Sequence, residues 1–315
     1  AGRPQAVFAM ERLLDRAAQD LGIDRAEIRQ RNLIQPEQMP YEVGLIARDG
    51  QPTTYDSGDY PRCQLEAEKL ADWAGFPRRQ EAARAEGRQI GIGVANYVES
   101  TGLGPFEGAT VRIHPDGAIV ISTGGGDSGM GHWTTLAQIC ADKFGVEISA
   151  ITANVGDTGK IANGVGSFAS RIAVNAGNSV HLAANAVREK AIKVASHMLE
   201  AAEEDLDIID GKVCVAGVPD LSVTLADISR AVQGMPGFAL PGGVEPGLES
   251  TQYFSPSQAA YCNGTAIVEL EVDVETGQVT ILNYVMGHDS GNLINPLVVG
   301  GQDRPATAHG IGNAL

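Results

Sequence analysis

The chain has 315 residues, of which 43% are hydrophobic and 20% charged, with a formal net charge of −16. That length supports two domains or subdomains, no apolar run approaches the ~20 residues that span a bilayer, and scattered acids argue against nucleic acid or anionic membranes as partners. Cys63, Cys140, Cys214 and Cys262 lie far apart with no C-x-x-C pair, which disfavours a structural zinc or an iron–sulfur cluster within the chain and points to reduced, buried thiols in a cytoplasmic protein.

Ala1-Gly-Arg-Pro4 has no initiator Met and no signal-peptide pattern. Residues 5–21 carry Val7, Met10, Leu13, Leu14, Ala17, Ala18 and Leu21 at helical spacing. Gly22 ends that helix. Asp24, with Glu27 three residues on, caps a second one in a capping-box pattern. Pro36, Pro40 and Pro52 break the next stretch into loop. Asp59 before Pro61 starts a helix ending near Gly75, and residues 77–88, charged and Ala-rich, read as a connector. The expected domain line is 88/89.

From Gln89 strands take over. Ile90, Ile92, Val94 and Tyr97-Val98 suggest the first. Thr110–His114 and Ala118–Thr123 flank the turn Pro115-Asp116-Gly117. The second arm runs into Thr123-Gly-Gly-Gly-Asp-Ser-Gly-Met-Gly-His132, five of whose ten residues are glycine, and a helix follows over 133–144. Positive-φ glycines ahead of a helix start expose successive N–H groups that suit a phosphate, or form a tight turn with no ligand. Ile148–Val155 reads as a strand. Asn163-Gly-Val-Gly-Ser-Phe-Ala-Ser-Arg171 is a second such loop, followed by a long helix with apolar positions Val180, Ala184, Val187, Ala191, Val194, Ala195 and Met198. Ser167 and Ser170 serve as ligands or as N-caps, and Arg171 as an anion's partner or a surface ion pair.

Asp210-Gly211 and the run 219–231 give a small hairpin and a helix, and 234–250 reads as an extended loop. Ala266–Val274 and Gln278–Met286 form a hairpin, with Ala266, Val268, Leu270 and Val272 on one face and Glu269, Glu271 and Asp273 on the other. His309–Leu315 looks like a helix still under way, so both ends are expected to belong to a longer protein. Helices and strands mix without strict alternation, which favours an α+β fold.

These residues resemble the large, molybdopterin-binding subunit of the molybdenum hydroxylases: xanthine dehydrogenase, aldehyde oxidase and carbon monoxide dehydrogenase-like enzymes. The motifs are Ala1-Gly-Arg-Pro4; Glu11-Arg12 through Leu21-Gly-x-Asp24 and Arg29 to Asn32-Leu33-Ile34; Tyr55-Asp-Ser-Gly-Asp-Tyr-Pro61; Gly156-Asp-Thr158; Gly166-Ser-Phe-Ala-Ser-Arg171; Val272-Asp273 with Thr276-Gly277; and His288-Asp-Ser-Gly, Asn295-Pro296 and Gly301-Gln302. The resemblance implies elongated α+β subdomains, with residues 1–88 ending a first cofactor-binding domain and 89–315 forming most of a second. It implies molybdopterin, as its cytosine dinucleotide in bacterial members, with FAD and 2Fe–2S clusters on iron–sulfur and flavin subunits. The implied reaction hydroxylates a small aldehyde, N-heteroaromatic or purine, or oxidises CO, with water as the oxygen source.

Carried over by position, Gly129, Met130, Gly131, Ser167, Phe168, Ala169, Ser170, Arg171, Asp289 and Gln302 face the cofactor and Ala1 the substrate. No side chain ligates the metal directly. The family's catalytic glutamate falls beyond Leu315, in the remainder of the large subunit, so this stretch alone is expected to be inactive. Glu99 and Glu107 read as surface or loop carboxylates, and His132, His288 and His309 as structural. Ser128 and Met130 replace the glutamines usual in the carbon monoxide dehydrogenase-like branch, and Pro305-Ala306 replaces a Gly-Gly pair, so a local departure is expected there. These losses motivate an alternative, a split or decayed scaffold without catalysis. The glycine loops alone would also suit an unrelated nucleotide-binding enzyme.

Overall fold

The computed structural model describes residues 3–47, 50–234 and 236–315. The chain divides into two compact units: 1–100 with 260–292 and 303–315, and 101–259 with 293–302. This partition differs from a single cut at 88/89, because the strand that starts at Gln89 joins the first unit's sheet. Ala1 lies outside the described residues.

In the first unit, α1 (Arg3–Leu21) stops at Gly22, whose φ is +67°. The Asp24 carboxylate caps α2 (Arg25–Gln30), accepting from Ala26 N at 2.7 Å. Glu27 turns to Arg31 rather than back to the cap. Arg29, 2% exposed, donates to Glu11 at 2.6 Å and to Asp15 at 3.0 Å, so the Glu11 and Arg29 motif is the brace between the two helices. The proline-broken stretch is not all loop. β1 (Tyr41–Ile46) and β2 (Pro52–Tyr55) form a short antiparallel hairpin, with Pro52 at a strand start where no ladder N–H is lost.

Asp59 caps α3 (Tyr60–Leu70) as expected. The expected connector is itself a helix, α4 (Phe76–Ala85). Its Ala, Arg, Gln and Glu residues are strong helix formers, and Pro77 sits in the first turn. Phe76 and Ala83 bury one side, and Arg79 donates to Glu269 at 2.7 Å. β3 (Gln89–Thr101) buries Ile90, Ile92 and Val94 on alternate positions.

The second unit opens with β4 (Glu107–Ile113) and β5 (Ile119–Thr123), antiparallel about Gly117 at φ +89°. Next come α5 (His132–Phe144), β6 (Ile151–Val155) parallel to β5, and the 28-residue α6 (Ile172–Leu199). A small antiparallel sheet of β7 (Leu206–Ile209), β8 (Lys212–Val215) and β9 (Val218–Thr224) precedes α7 (Leu225–Val232). Asp210 and Gly211 both take positive φ in its first turn. Residues 248–250 leave the expected loop for β10 (Leu248–Phe254), which pairs with β4 from Leu248↔Ile113 to Phe254↔Glu107. Its sequence, Leu-Glu-Ser-Thr-Gln-Tyr-Phe, has little apolar alternation to announce it. The sheet order is β10-β4-β5-β6. Ala176, Val180, Ala183, Ala184, Val187, Ala191 and Val194 of α6 form its fully buried face, clustered with Val111, Ile113, Ile121 and Phe144. Burial pushes the Cys140 thiol up to about 12, so it packs as an inert apolar group.

The chain then returns to the first unit through the hairpin of β11 (Ala260–Val272) and β12 (Val279–Asp289), with Val268↔Tyr284 in register. The two faces alternate as expected, and the one that carries Glu269 is the more buried. Thr265, Ile267 and Glu269 are buried, because Arg79 draws the Glu269 carboxylate to the face that meets α3 and α4. Asp273 Oδ1 accepts from Glu275 N and Thr276 N, which fixes the Val272-Asp273 and Thr276-Gly277 turn. α8 (Pro296–Ala314) continues past Pro305 without a break in helical assignment. The expected local departure is therefore confined to one missing N–H within a continuous helix. No helix among the described residues is long and apolar enough to cross a membrane.

Phe144 is fully buried in the second unit's core. Phe144→Ala is expected to destabilise that unit by about 3–5 kcal/mol, read as faster hydrogen exchange along α6. An unchanged rate would contradict its place in the core.

Candidate functional site

Both glycine loops belong to the second unit, and they pack against each other. The first leaves β5 at Thr123 and enters α5; the second leads into α6. A Cβ on Gly124 would fall 2.8 Å from Gly164 Cα and 2.7 Å from Glu107 Oε1, and one on Gly164 would fall 2.8 Å from Gly124 Cα. Glycine is required at both positions because the two backbones touch. The Ser167 hydroxyl donates to the Gly126 carbonyl across the same seam.

Within the first loop, Gly129 and Gly131 sit at φ +95° and +75°. Their N–H groups are not all presented outward. Asp127 Oδ1 accepts from Gly129 N at 2.9 Å and Met130 N at 2.8 Å, and Oδ2 from Trp133 N at 3.4 Å. The loop's own carboxylate fills the nest expected to take a phosphate at Gly129 and Met130. Partial burial pushes the Asp127 carboxyl up, but the N–H donors of Trp133, Met130 and Gly129, with His132 nearby, outweigh it and hold the pKa below the ordinary range. His132 Nδ1–H donates to the Gly126 carbonyl at 2.8 Å, so this histidine braces the loop. His288 Nδ1 meets the Tyr97 hydroxyl at 2.7 Å, and His309 Nε2 meets Asn313 Nδ2 at 3.1 Å.

Within the second loop, Ser167, Phe168, Ala169 and Ser170 are exposed. Ala169 and Ser170 take φ +47° and +53°, a left-handed pair costing roughly 1–2 kcal/mol per residue outside glycine. The Gly102 N–H holds the Ser170 carbonyl at 3.1 Å. Arg171 follows with no exposed surface. Its Nη1 donates to Glu107 Oε2 and to the Gly166 carbonyl, both at 2.7 Å, its Nε donates to Leu103 O at 2.8 Å, and its Nη2 donates to Phe106 O. The guanidinium also lies 5.0 Å from the Phe168 ring centroid, a cation–π distance. Of the two readings of this cation, an anion's partner or a surface ion pair, the structure gives an ion pair, but a buried one, with a carboxylate of the protein itself.

That carboxylate is the residue sequence reasoning missed. Glu107 is not a surface group; it is fully buried at the start of β4. Beyond Arg171 it accepts from Val165 N at 3.2 Å and Gly166 N at 3.0 Å. The available signal was an acid opening the apolar run Gly-Ala-Thr-Val of β4, because an acid at a buried position implies a paired cation. Asp127, two residues before Gly129, carried the ordinary signal of a side chain turning back on its own backbone.

α8 approaches the first loop from the other side. Asn295 Oδ1 accepts from Val298 N at 3.1 Å, and its Nδ2 donates to Gln138 of α5 at 2.8 Å. Asn295-Pro296 is thus a helix cap that also docks α8 on α5. A Cβ on Gly131 would meet Val298 Cγ1 at 2.9 Å. Gln302 is exposed one turn along the same face of α8. Asp289 is exposed at the end of β12, in the first unit, where it accepts from Gly291 N at 2.9 Å. Among the described residues no group of three or more His, Cys, Asp or Glu side chains is placed to hold a metal ion. A cavity of about 430 Å³ lined by Met198, Val223, Asp227, Arg230, Gln233 and Gly234 lies near the far end of α6. At 1.5 Å per residue Met198 is about 39 Å along that helix from Ile172, so the cavity is separate from the loops.

Two glycine loops thus share a seam on a mixed sheet, each feeding a helix. Residues 66–315 match the molybdopterin cofactor-binding domain family, and residues 1–33 match a second domain of the same description. The chain belongs to the molybdopterin cofactor-binding domain family. It is 36% identical over its whole length to the 6-hydroxypseudooxynicotine dehydrogenase complex subunit gamma of Paenarthrobacter nicotinovorans, and 34% identical over 99% to the carbon monoxide dehydrogenase large chain of Hydrogenophaga pseudoflava. It spans 39% of the length of each. Quinoline 2-oxidoreductase from Pseudomonas putida 86 superposes on 94% of the chain with a TM-score of 0.82 and 38% identity, the chain covering 38% of that protein. The α+β expectation holds.

Asp127 supplies a pH-dependent brace. Its folded pKa is depressed, so its stabilisation is fully present above the unfolded carboxyl value of about 3.9 and is lost as pH falls through the folded value. Asp127→Asn is expected to lower the melting temperature at pH 7, with the gap to wild type closing as pH falls below 4. A gap that is constant with pH would contradict this role.

Proposed function

We propose that this chain is the cofactor-holding part of the large subunit of a molybdenum hydroxylase, with molybdopterin, as its cytosine dinucleotide, seated against the two glycine loops. The observation that carries the proposal is the shared seam of Gly124 and Gly164, which puts two helix starts and the exposed Ser167–Ser170 segment on one frame.

The residues fit such a group. Neither Gly131 nor Arg171, the N-cap residues of α5 and α6, supplies a side-chain acceptor, and no acid occupies either first turn. The start of α6 favours an anionic ligand, whereas at α5 the Asp127 carboxylate already accepts from the Trp133 N–H. The two nearby carboxylates are already matched, Glu107 by Arg171 and Asp127 by three N–H groups. In this reading Gly129 and Gly131 let the backbone approach the ring system, and the Met130 thioether packs on it. The Ser170 hydroxyl and the Gln302 amide bond its oxygens, while Ser167, whose hydroxyl is held by the Gly126 carbonyl, completes the wall with Phe168 and Ala169. Arg171 works from behind the loop, and by resemblance alone Asp289 joins the cofactor-binding set and Ala1 the substrate side.

When bound, the group supplies transfer of a water-derived oxygen to a small substrate, with electrons passing to 2Fe–2S and FAD on partner subunits. The chain's own part is binding, orientation and exclusion of water. The proposed substrates are an aldehyde, an N-heteroaromatic, a purine or CO, and the proposed location is the cytoplasm. The proposed catalytic glutamate comes from the remainder of the subunit. The seam between the loops and the unbroken α8 favour this reading over a decayed scaffold.

The test is the pterin and molybdenum content of the full-length subunit made in a molybdopterin-producing host. About one equivalent of each is expected, and neither being present would overturn the proposal. Gly131→Ala places a Cβ 2.9 Å from Val298 at φ +75°, and is expected to weaken pterin retention by roughly tenfold, as ~1–2 kcal/mol of backbone strain would.

A further inference from the structure

We infer that Glu107 and Arg171 form a clamp behind the cofactor loop: positioning residues that touch no ligand and fix the conformation of Ser167–Ser170 from both ends. The inference rests on the molybdopterin reading of that loop and adds a function to a carboxylate with no assigned role.

The bonding pattern is specific to the loop. Gly166 is gripped twice, its N–H by Glu107 at 3.0 Å and its carbonyl by Arg171 at 2.7 Å. Five residues later the chain reaches Arg171 itself. The exposed segment 167–170 is therefore bracketed by one ion pair, whose side chains are both 0% exposed. Between the brackets lie Ala169 and Ser170, two consecutive non-glycine residues at positive φ, which the chain does not adopt unless its surroundings impose it. Arg171 also holds the Leu103 and Phe106 carbonyls just ahead of Glu107, which anchors the clamp to the start of β4.

A second feature separates positioning from plain stability. Glu107 Oε1 lies against Gly124 and Gly164, where a Cβ on either would come within 2.7 or 2.9 Å of it. The same carboxylate that grips the second loop thus sets how closely the first approaches. All five guanidinium N–H donors have protein acceptors, two of them backbone carbonyls outside the loop and one the Asn175 side-chain oxygen at 3.1 Å. A lysine keeps the charge at this position but lacks the planar fork that reaches them all.

The experiment uses the full-length subunit, with hydrogen exchange of residues 163–171, thermal melting and pterin content read on wild type, Arg171→Lys and the double variant Glu107→Gln/Arg171→Met. In wild type the Val165 and Gly166 amides are expected to be protected as strongly as strand amides of β4, although they lie in a loop; exchange at the rate of free loop amides would overturn the clamp without any variant. Arg171→Lys is expected to melt near wild type, to raise exchange at 166–170 about tenfold, and to lose pterin in parallel. The double variant removes both buried charges and leaves no unpaired ion, so where it folds it is expected to show the same dissociation of pterin loss from melting. Full pterin retention in Arg171→Lys with loosened loop amides, or unchanged amides with lost pterin, would each overturn the inference. A wild-type subunit with no pterin would instead overturn the molybdopterin reading, while its loop amides would still report on the clamp.

Discussion

The second unit depends on one ion pair that never reaches solvent. A carboxylate and a guanidinium with no exposed surface are costly to bury, and only near-complete hydrogen bonding makes the arrangement tolerable. Glu107 and Arg171 meet that condition with backbone partners drawn from two places, the loop before α6 and the segment leading into β4. The fold thereby converts an electrostatic liability into geometry. Loss of one partner alone would leave the other charge buried and unpaired, a penalty of about 3–5 kcal/mol, whereas loss of both need cost little.

The frame around that pair explains why the loops lie where they do. β5 and β6 are parallel, so α5 must cross between them, and the chain leaves β5 through Gly124–Gly126 at the carboxyl end of the strand. The long α6 lies across β4 and β10 with a face of Ala and Val, small enough for close packing along the sheet. Its first turn is thereby held beside the first loop, and a Cβ on Gly125 would strike Ile172 Cδ1 at 2.6 Å. The anion-favouring start of α6, the exposed hydroxyl of Ser170 and left-handed backbone then meet on a rigid support, as a bulky, negatively charged cofactor requires.

Much of this was legible from residue order. Periodicity found α1, α5, α6 and the hairpins of β4 with β5 and β11 with β12, turn chemistry found Gly117 and Asp210-Gly211, and motif order pointed to the family. What escaped reading was set by contacts between residues distant in sequence. Glu107 and Arg171 are 64 positions apart, and Arg79 and Glu269 are 190 apart, so neither buried acid could be told from a solvated one locally. The order of β11 shows two alternating faces, but not that the face carrying Glu269 is the buried one. β10 was hidden because its ladder with β4, rather than an apolar stripe, makes it a strand. The first loop misled in another way: five glycines suggested free N–H groups, and one aspartate two residues upstream claimed the best-placed of them.

The most direct measurement is a crystal structure of the full-length protein purified from a host that makes molybdopterin. The account predicts pterin density against Gly129–Gly131 and Ser167–Ser170, with Arg171 still turned inward on Glu107. Density for the cofactor at a site bordered by neither loop, or an Arg171 swung out to meet its phosphates, would contradict it.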